Sequence, residues 1–300
     1  MSEPRPLRGS SYPDLLTEAK RVARGDALYP AELEELRENA PLHLWMVGRT
    51  EVLDVRPRVA IVGTRRVTPY GQRITRELAG ALARAGACIV SGLANGVDGT
   101  AHRAALDADG ATIAVLGTGL ARVFPTGHRQ LQHVIADRGL VLTELEHDEH
   151  GMWFTFPKRN RIIAGLAKLT IVVEAGEKSG ALITASVAQD LNRTVAAVPG
   201  PMDQPQSVGA NRLIQAGGQI LTCVEDALAL VNLTPALRTH RGDPDGDQGR
   251  VWAALADGGL DMDTLCTRSG LPATQCLVAV TKLEIAGSIE CALTGEIRRR

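Results

Sequence analysis

Cationic and aromatic side chains crowd into one short stretch: Trp153, Phe154, Phe156, Lys158, Arg159 and Arg161 fall within nine consecutive positions, with Asn160 among them. The chain has only three Phe, and two of them are here. Rings interleaved with cations suit unpaired nucleic-acid bases, which stack on the rings while the cations take the phosphates. The competing reading of Trp153 and Phe154 is core packing for a long loop. More cations follow other apolar runs: Arg65 and Arg66 after VAIVGT, and Lys178 after LTIVVEA. Arginine offers phosphate a planar fork and lysine a point charge. Four acids, Glu144, Glu146, Asp148 and Glu149, lie just upstream and weaken the patch. Gly63, Gly92, Gly96, Gly117, Gly119, Gly180 and Gly200 sit where apolar runs give way to helical ones. Each alone is explained by a tight turn. Together they let backbone approach a ligand closely, beside helix starts whose N–H groups favour phosphate oxygens.

Other chemistries fit less well. Ser91, Asp98 and His102 are close in sequence, but no G-x-S-x-G elbow is present, which argues against a Ser-His-Asp hydrolase. Asp98, four residues before His102, reads as a helix cap or as the group that orients His102. The first strongly apolar run ends G-T-R-R-V-T-P rather than G-x-G-x-x-G, so NAD is disfavoured. The five cysteines fit no zinc spacing, and neither metal nor disulfide is expected. Cys88 reads as a small buried hydrophobe, and a reducing compartment follows. Formal net charge is −1, so any nucleic-acid site must be a local patch. No signal-peptide core and no apolar run of about 20 residues is found, which predicts a soluble, cytoplasmic chain.

The elements that must position these residues follow from periodicity. Residues 1–50 read as a short N-terminal extension, with a helical pattern around Leu15 to Val22, then a turn, a helix and a strand in YPAELEEL and LHLWMVG. Residues 51–232 alternate six apolar strands with helices, the basic stretch forming a loop over 146–158 before a short helix from Asn160. This predicts a Rossmann-like, doubly wound α/β fold with a mostly parallel sheet and helices on both faces. Ligands then sit beyond the carboxyl ends of the strands. The strand VAIVGT and the strand LVLTE, first and fourth of the series, are expected to be neighbours at the switch point. Residues 233–248, rich in Pro, Gly and charge, read as a linker. Residues 249–300 predict three short helices and a hairpin turning at Thr294-Gly295, the winged-helix pattern.

These motifs, in this order, resemble those of the DprA/Smf DNA-processing family. GTRRVTPYG resembles its G-S-R start, with Thr64 for the usual Ser, and SGLANGVDGTAHRAAL its S-G-x-A-x-G-I-D-x-x-A-H-x-x-A-L segment. IAVLGTGL, VFP, FPKRNRIIAGL, EAGEKSGALITA, AVPG and LIQAGGQIL follow. The match runs over roughly residues 44–231, with a weaker likeness to the family's winged helix after that. The resemblance implies a homodimeric protein that binds and shields single-stranded DNA and helps load the RecA recombinase in natural transformation, without turnover and without a cofactor. It assigns DNA contacts to Arg65, Ser91, Gly92, Lys158, Asn160 and Arg161. The glycine, ring and cation arguments add Gly63, Thr64, Gly96, Phe156, Arg159 and Lys178. Ile214 and Ile220 fall at the implied dimer interface. The family's helical N-terminal domain of sterile-alpha-motif type is expected to be missing or vestigial. The competing reading is a nucleotide-binding sensor or an enzyme similar to nucleoside-monophosphate phosphoribohydrolases. Their P-G-G-x-G-T-x-x-E is replaced here by E-A-G-E-K-S-G-A-L-I-T, which leaves Glu174 as a candidate pocket acid. The third C-terminal helix carries only Lys282 as a cation, so duplex binding is not favoured over protein contact.

Overall fold

The computed structural model describes residues 18–235, 246–256, 258–285, 288–292 and 295–299. The chain divides into two compact units, residues 1–236 and 237–300. The larger is built on a nine-stranded sheet. In chain order its strands are β1 (Lys20–Ala23), β2 (His43–Gly48), β3 (Arg58–Val62), β4 (Cys88–Ser91), β5 (Thr112–Val115), β6 (Leu140–Thr143), β7 (Leu169–Val172), β8 (Thr194–Ala197) and β9 (Gln219–Ile220). Their order across the sheet is β1-β2-β6-β5-β4-β3-β7-β8-β9. All pairings from β6 to β9 are parallel, while β1 and β2 add an antiparallel edge. This is the expected doubly wound, mostly parallel α/β class.

The connecting helices are α1 (Pro69–Arg84), α2 (Val97–Asp107), α3 (Arg129–Arg138), α4 (Thr155–Leu166), α5 (Gly180–Asp190), α6 (Val208–Gln215) and α7 (Val224–Ala229). Strand periodicity decides which layer each side chain joins. In β3, Ala60 and Val62 join the core beneath α4 and α5, while Val59 and Ile61 join the core beneath α1, α2 and α7. Helix α1 shows how the sequence sets its own bounds. Thr68 caps it by accepting from Gly71 N at 3.1 Å, Pro69 opens it, and Gly86 follows its end at φ 94°. Its buried stripe of Leu78, Ala79, Leu82 and Ala83 faces the sheet, each Leu contributing about 1.5–3 kcal/mol of burial.

Four local expectations are corrected. The helical pattern assigned to Leu15–Val22 gives strand β1 where it is described. Pairing with β2 and burial of Val22 outweigh helical periodicity, and residues 15–17 lie outside the described residues. Residues 31–39 form 3-10 turns broken by Arg37 at φ 55°, not one helix. The loop expected over 146–158 ends at Phe154, and α4 begins at Thr155, so Phe156, Lys158, Arg159, Asn160 and Arg161 lie in its first two turns while Trp153 and Phe154 precede it. Pro157 is tolerated there because a first-turn N–H has no helical partner to lose. Residues 20–48 also belong to the main sheet, so residue 50 marks no break in structure. Cys88 is fully buried, as expected.

The smaller unit has α8 (Gly246–Ala254), α9 (Met262–Ser269) and α10 (Ala273–Ile285), then β10 (Ile289–Cys291) paired antiparallel with β11 (Ile297–Arg299). Asp261 caps α9 through Thr264 N at 2.9 Å. Val251, Leu265, Cys276, Leu283 and Ile297 share its core. Three helices and a hairpin make the winged-helix arrangement. Thr294, of the predicted turn, lies outside the described residues, as does most of the predicted linker. Among the described residues, no helix is long and apolar enough to cross a membrane.

Candidate nucleic-acid interface

From β3 the chain steps outward through β4 and β5 to β6, then reverses and lays β7 on the other side of β3. The switch point is therefore between β3 and β7, first and fifth of the parallel strands. The expected adjacency of the first and fourth is wrong, because β4 and β5 stand between β3 and β6. The basic stretch still reaches the switch point. Helix α4 must carry the chain back across the sheet, and it packs over β5, β4 and β3 on the way.

A crevice of about 380 Å³ opens at this point. One wall is Gly63, Thr64 and Arg65, which follow β3. Lys178, Ser179 and Gly180 at the start of α5, Phe156, Arg159 and Asn160 of α4, and Asp98 also line the crevice. A smaller recess beside it is walled by Phe124, Asn95 and the same Arg65, Phe156 and Arg159.

The loop after β3 is held by backbone. Thr64 N donates to Glu174 O at 2.7 Å and Val97 N to Thr64 O at 3.3 Å. Gly96, at φ 79°, makes this possible. A Cβ there would lie 2.3 Å from Thr64 O, and the backbone sign also favours glycine. Arg65 emerges exposed, its guanidinium 5.4 Å from the centroid of Phe156, a cation–π distance. The Phe124 ring lies 5.0 Å from Phe156 and is 47% exposed. Helix α4 starts in a fixed place because Thr155 Oγ1 donates to Gly117 O at 2.7 Å while accepting from Met152 N at 3.0 Å.

Beneath the crevice lies a buried charge network. Arg159 donates to Gly92 O at 2.8 Å and also to Val115 O, and its Nε reaches Asn160 Oδ1 at 3.3 Å. Asn160 in turn donates to Gly180 O at 3.0 Å, tying α4 to α5. Asp98 accepts from Gly92 N at 3.1 Å and Ala94 N at 3.4 Å. Burial lowers the Arg159 guanidinium to about 10, opposed by Asp98, which leaves it cationic at neutral pH. Burial raises the Asp98 carboxyl, opposed by Arg159 and the two backbone donors. Asp98 thus pins the loop after β4 and does not orient His102. The His102 ring instead meets Thr112 Oγ1 at 2.8 Å, and burial lowers it to about 3, so it is neutral.

The family model for DNA recombination-mediator protein A matches residues 20–232, and that for the DprA winged helix domain matches residues 235–292. This chain belongs to the DprA family. It is similar to a putative DNA processing protein DprA of Mycobacterium tuberculosis, 39% identical over 269 residues that cover 84% of this chain and 67% of that protein. The DprA of Streptococcus pneumoniae is 42% identical over 204 residues, 68% of this chain and 71% of that one. Its X-ray structure aligns with a TM-score of 0.68 and 39% identity, over 72% of this chain and 76% of that one. A structure devoted to the single-stranded DNA binding mode of DprA from Helicobacter pylori aligns with a TM-score of 0.65 and 32% identity, over 72% of this chain and 98% of that one.

In this DprA-family chain the residues singled out from sequence separate into three groups. Gly63, Thr64, Arg65, Phe156, Asn160 and Lys178 line the crevice. Ser91, Gly92, Gly96 and Arg159 build it from below: Ser91 is fully buried and donates to Ile61 O at 2.7 Å, and a Cβ on Gly92 would lie 2.5 Å from the Arg159 guanidinium. Lys158 and Arg161 turn to the other side of α4, where both meet Glu144. Trp153 and Phe154 are 84% and 49% exposed, so they are not core. Ile220 is half-exposed on edge strand β9, and Ile214 packs partly against the core. Phe124 and Asn95 were missed. The VFP segment after β5 carried the signal for Phe124, since it is a strand-end loop holding the chain's remaining Phe.

Proposed function

We propose that this chain binds single-stranded DNA in the crevice between β3 and β7. A phosphate sits between Arg65, Lys178 and the opening turn of α5, and a base lies against Phe124 and Phe156. The observation that carries this reading is the Arg65–Phe156–Phe124 assembly at the crevice mouth: an exposed cation on one ring, with a second exposed ring alongside. Stacking of this kind tolerates any base, because every base has a π-face. The single-stranded DNA binding described for the Helicobacter pylori relative supports the same ligand class. From the family likeness we also propose that the protein shields incoming DNA in the cytoplasm and hands it to the RecA recombinase, without turnover, and that it acts as a homodimer through the β9 edge with Ile214 and Ile220.

The phosphoribohydrolase-like alternative needs a carboxylate available at the crevice. Glu174 is buried, and its two oxygens accept from Thr68 N at 3.0 Å and from the Thr68 hydroxyl. A Cβ on Gly71 would lie 2.4 Å from the Glu174 carboxyl carbon, so the group is wedged under α1. Glu174 fixes the start of α1 rather than presenting an acid to a ligand.

The test is binding of labelled oligo-dT by fluorescence anisotropy at several salt concentrations. Affinity should fall as salt rises, because phosphate contacts release counterions. Arg65→Ala should weaken binding at least tenfold at low salt. Undetectable binding by the wild type at low salt, or an Arg65→Ala variant that binds as tightly, overturns the reading.

A further inference from the structure

The aromatic side chains at the start of α4 do not all belong to the crevice. Phe156 lines it, but Trp153 and Phe154 stand outside, before the first helical turn. Their rings are 5.6 Å apart and edge to face at 90°. Trp153 is 84% exposed, more than Phe154 at 49% or Phe124 at 47%. The pair is held in place by the same contacts that fix Phe156. Thr155 is buried and bonded to Gly117 O and Met152 N, and Gly151 lies so close to the Phe156 ring that a Cβ there would be 2.6 Å from it. The exposed indole stands three residues before Phe156, which lines the crevice, so the chain itself keeps a further ring within reach of a strand leaving that site.

We propose that Trp153, with Phe154 set edge-on against it, is a second base-stacking station for the strand that leaves the crevice. The inference rests on the single-stranded DNA reading above and extends it to a site outside the crevice. The charge pattern says what this station takes. Residues 144–157 hold four acids and no Lys or Arg, so the station holds a base by its face and does not hold a phosphate. Its contribution should therefore depend on oligonucleotide length and be insensitive to salt, whereas the crevice should show the opposite pattern.

The experiment compares wild type, Trp153→Ala and Trp153→Phe with two probes: oligo-dT of about four nucleotides, which fills the crevice alone, and one of about twenty. Trp153→Ala should bind the longer probe about tenfold more weakly, bind the short probe unchanged, and keep the wild-type slope of affinity against salt. Trp153→Phe should restore most of the loss. The longer probe should quench the wild-type tryptophan emission, and Trp153→Phe should abolish that quenching. Trp45, tilted against His147 with ring centroids 4.1 Å apart, and Trp252, beside Arg299, supply a background that the comparison subtracts. If the longer probe binds Trp153→Ala as tightly as wild type, or leaves the emission of Trp153 unchanged, the station is not a nucleic-acid contact and the inference is overturned, even where Arg65→Ala still abolishes binding. Loss of recombinase loading with DNA binding intact would overturn it equally, by assigning the ring pair to a protein. Failure of both probes to bind wild type would instead overturn the crevice reading itself.

Discussion

The cations at the crevice and those on the far side of α4 meet two different environments, and the proposed interface draws on only the first. On the crevice side, Arg65, Lys178 and Phe156 line one pocket, and Arg65 feels the buried Asp98 carboxylate only at a distance, without a salt bridge among the described residues. On the far side, Glu144 receives Arg161 Nη1 and Nη2 at 2.6 and 2.7 Å and lies 3.4 Å from Lys158 Nζ. Lys158 and Arg161, three apart, share one face of the helix. Arg159 between them points into the protein. A run that reads in sequence as four adjacent ligands for one polyanion is thus one buried strut, one ion-pair cluster and a side-chain amide that ties helices together. The charge of the proposed interface comes from two loops more than 100 residues apart in the chain, at Arg65 and Lys178. Counting basic residues along a sequence overstates a site whenever helical periodicity sends them to different faces.

The largest effect expected from this contrast is on affinity. Arg65→Ala with Lys178→Ala should weaken oligo-dT binding about a hundredfold at low salt, and lower the salt slope by about 1.4 for two lost phosphate contacts on a single strand. Lys158→Ala should stay within about threefold of wild type, since its charge is already matched by Glu144. Anisotropy titrations across salt check both; equal losses from the two changes would erase the contrast.

Next in size is a change beneath the crevice. Gly92→Ala places a methyl against the Arg159 guanidinium, at 2.5 Å from Nη2. Arg159 must leave Gly92 O, and a buried cation loses a charge-assisted hydrogen bond. That should cost about 2 kcal/mol or more in urea unfolding. Binding of oligo-dT should weaken with it, because Phe156 and Asn160 sit on the same turns of α4. A variant as stable as wild type would mean that Arg159 is not the strut.

The doubly wound sheet was legible because buried parallel strands leave continuous apolar runs such as VAIV and TIVV, and because Pro69 and Gly86 bracket α1. What was not legible depends on contacts distant in sequence. Val22 reads as part of a helix until β2 is there to pair with it. The order of the sheet cannot be read from alternation of strands and helices, and that order moved the switch point from β3–β6 to β3–β7. Within the site, Gly63, Arg65 and Lys178 were found because strand ends mark them. Phe124 was missed, since only the fold brings it within 5.0 Å of Phe156. Asp98 reads as a helix cap or as the partner of His102, four residues on, whereas the carboxylate turns back to the loop at Gly92 and Ala94 and does neither.

The smallest expected effect tests the far side of α4 directly. Glu144→Gln removes the acid that holds Lys158 and Arg161, so the longer oligonucleotide should bind about threefold more tightly, with a slightly steeper salt dependence as Lys158 is released to reach phosphate. The same change should lower stability at pH 7 by about 1–3 kcal/mol, because Glu144 and Arg161 are 11% and 14% exposed and Arg161 would lose its carboxylate while keeping only the carbonyls of Asn39 and Lys158. Lys158, more than half exposed, adds little to that sum. Burial alone would raise the Glu144 carboxyl, but Arg161 and then Lys158 hold it below its usual value of 4.5. A carboxylate with a folded-state value below its unfolded one stabilises fully above the unfolded value, and the contribution is lost as pH falls through the folded one. The stability gap between wild type and Glu144→Gln should therefore be constant from pH 7 to about 5 and shrink below about 4. Urea titrations of both proteins at pH 7 and near pH 3 measure it. A gap that does not change with pH would mean that the ion pairs contribute nothing. An unchanged affinity would mean that Lys158 and Arg161 are structural whether or not Glu144 is charged, and the contrast between the two sides of α4 would then be permanent rather than held by one acid.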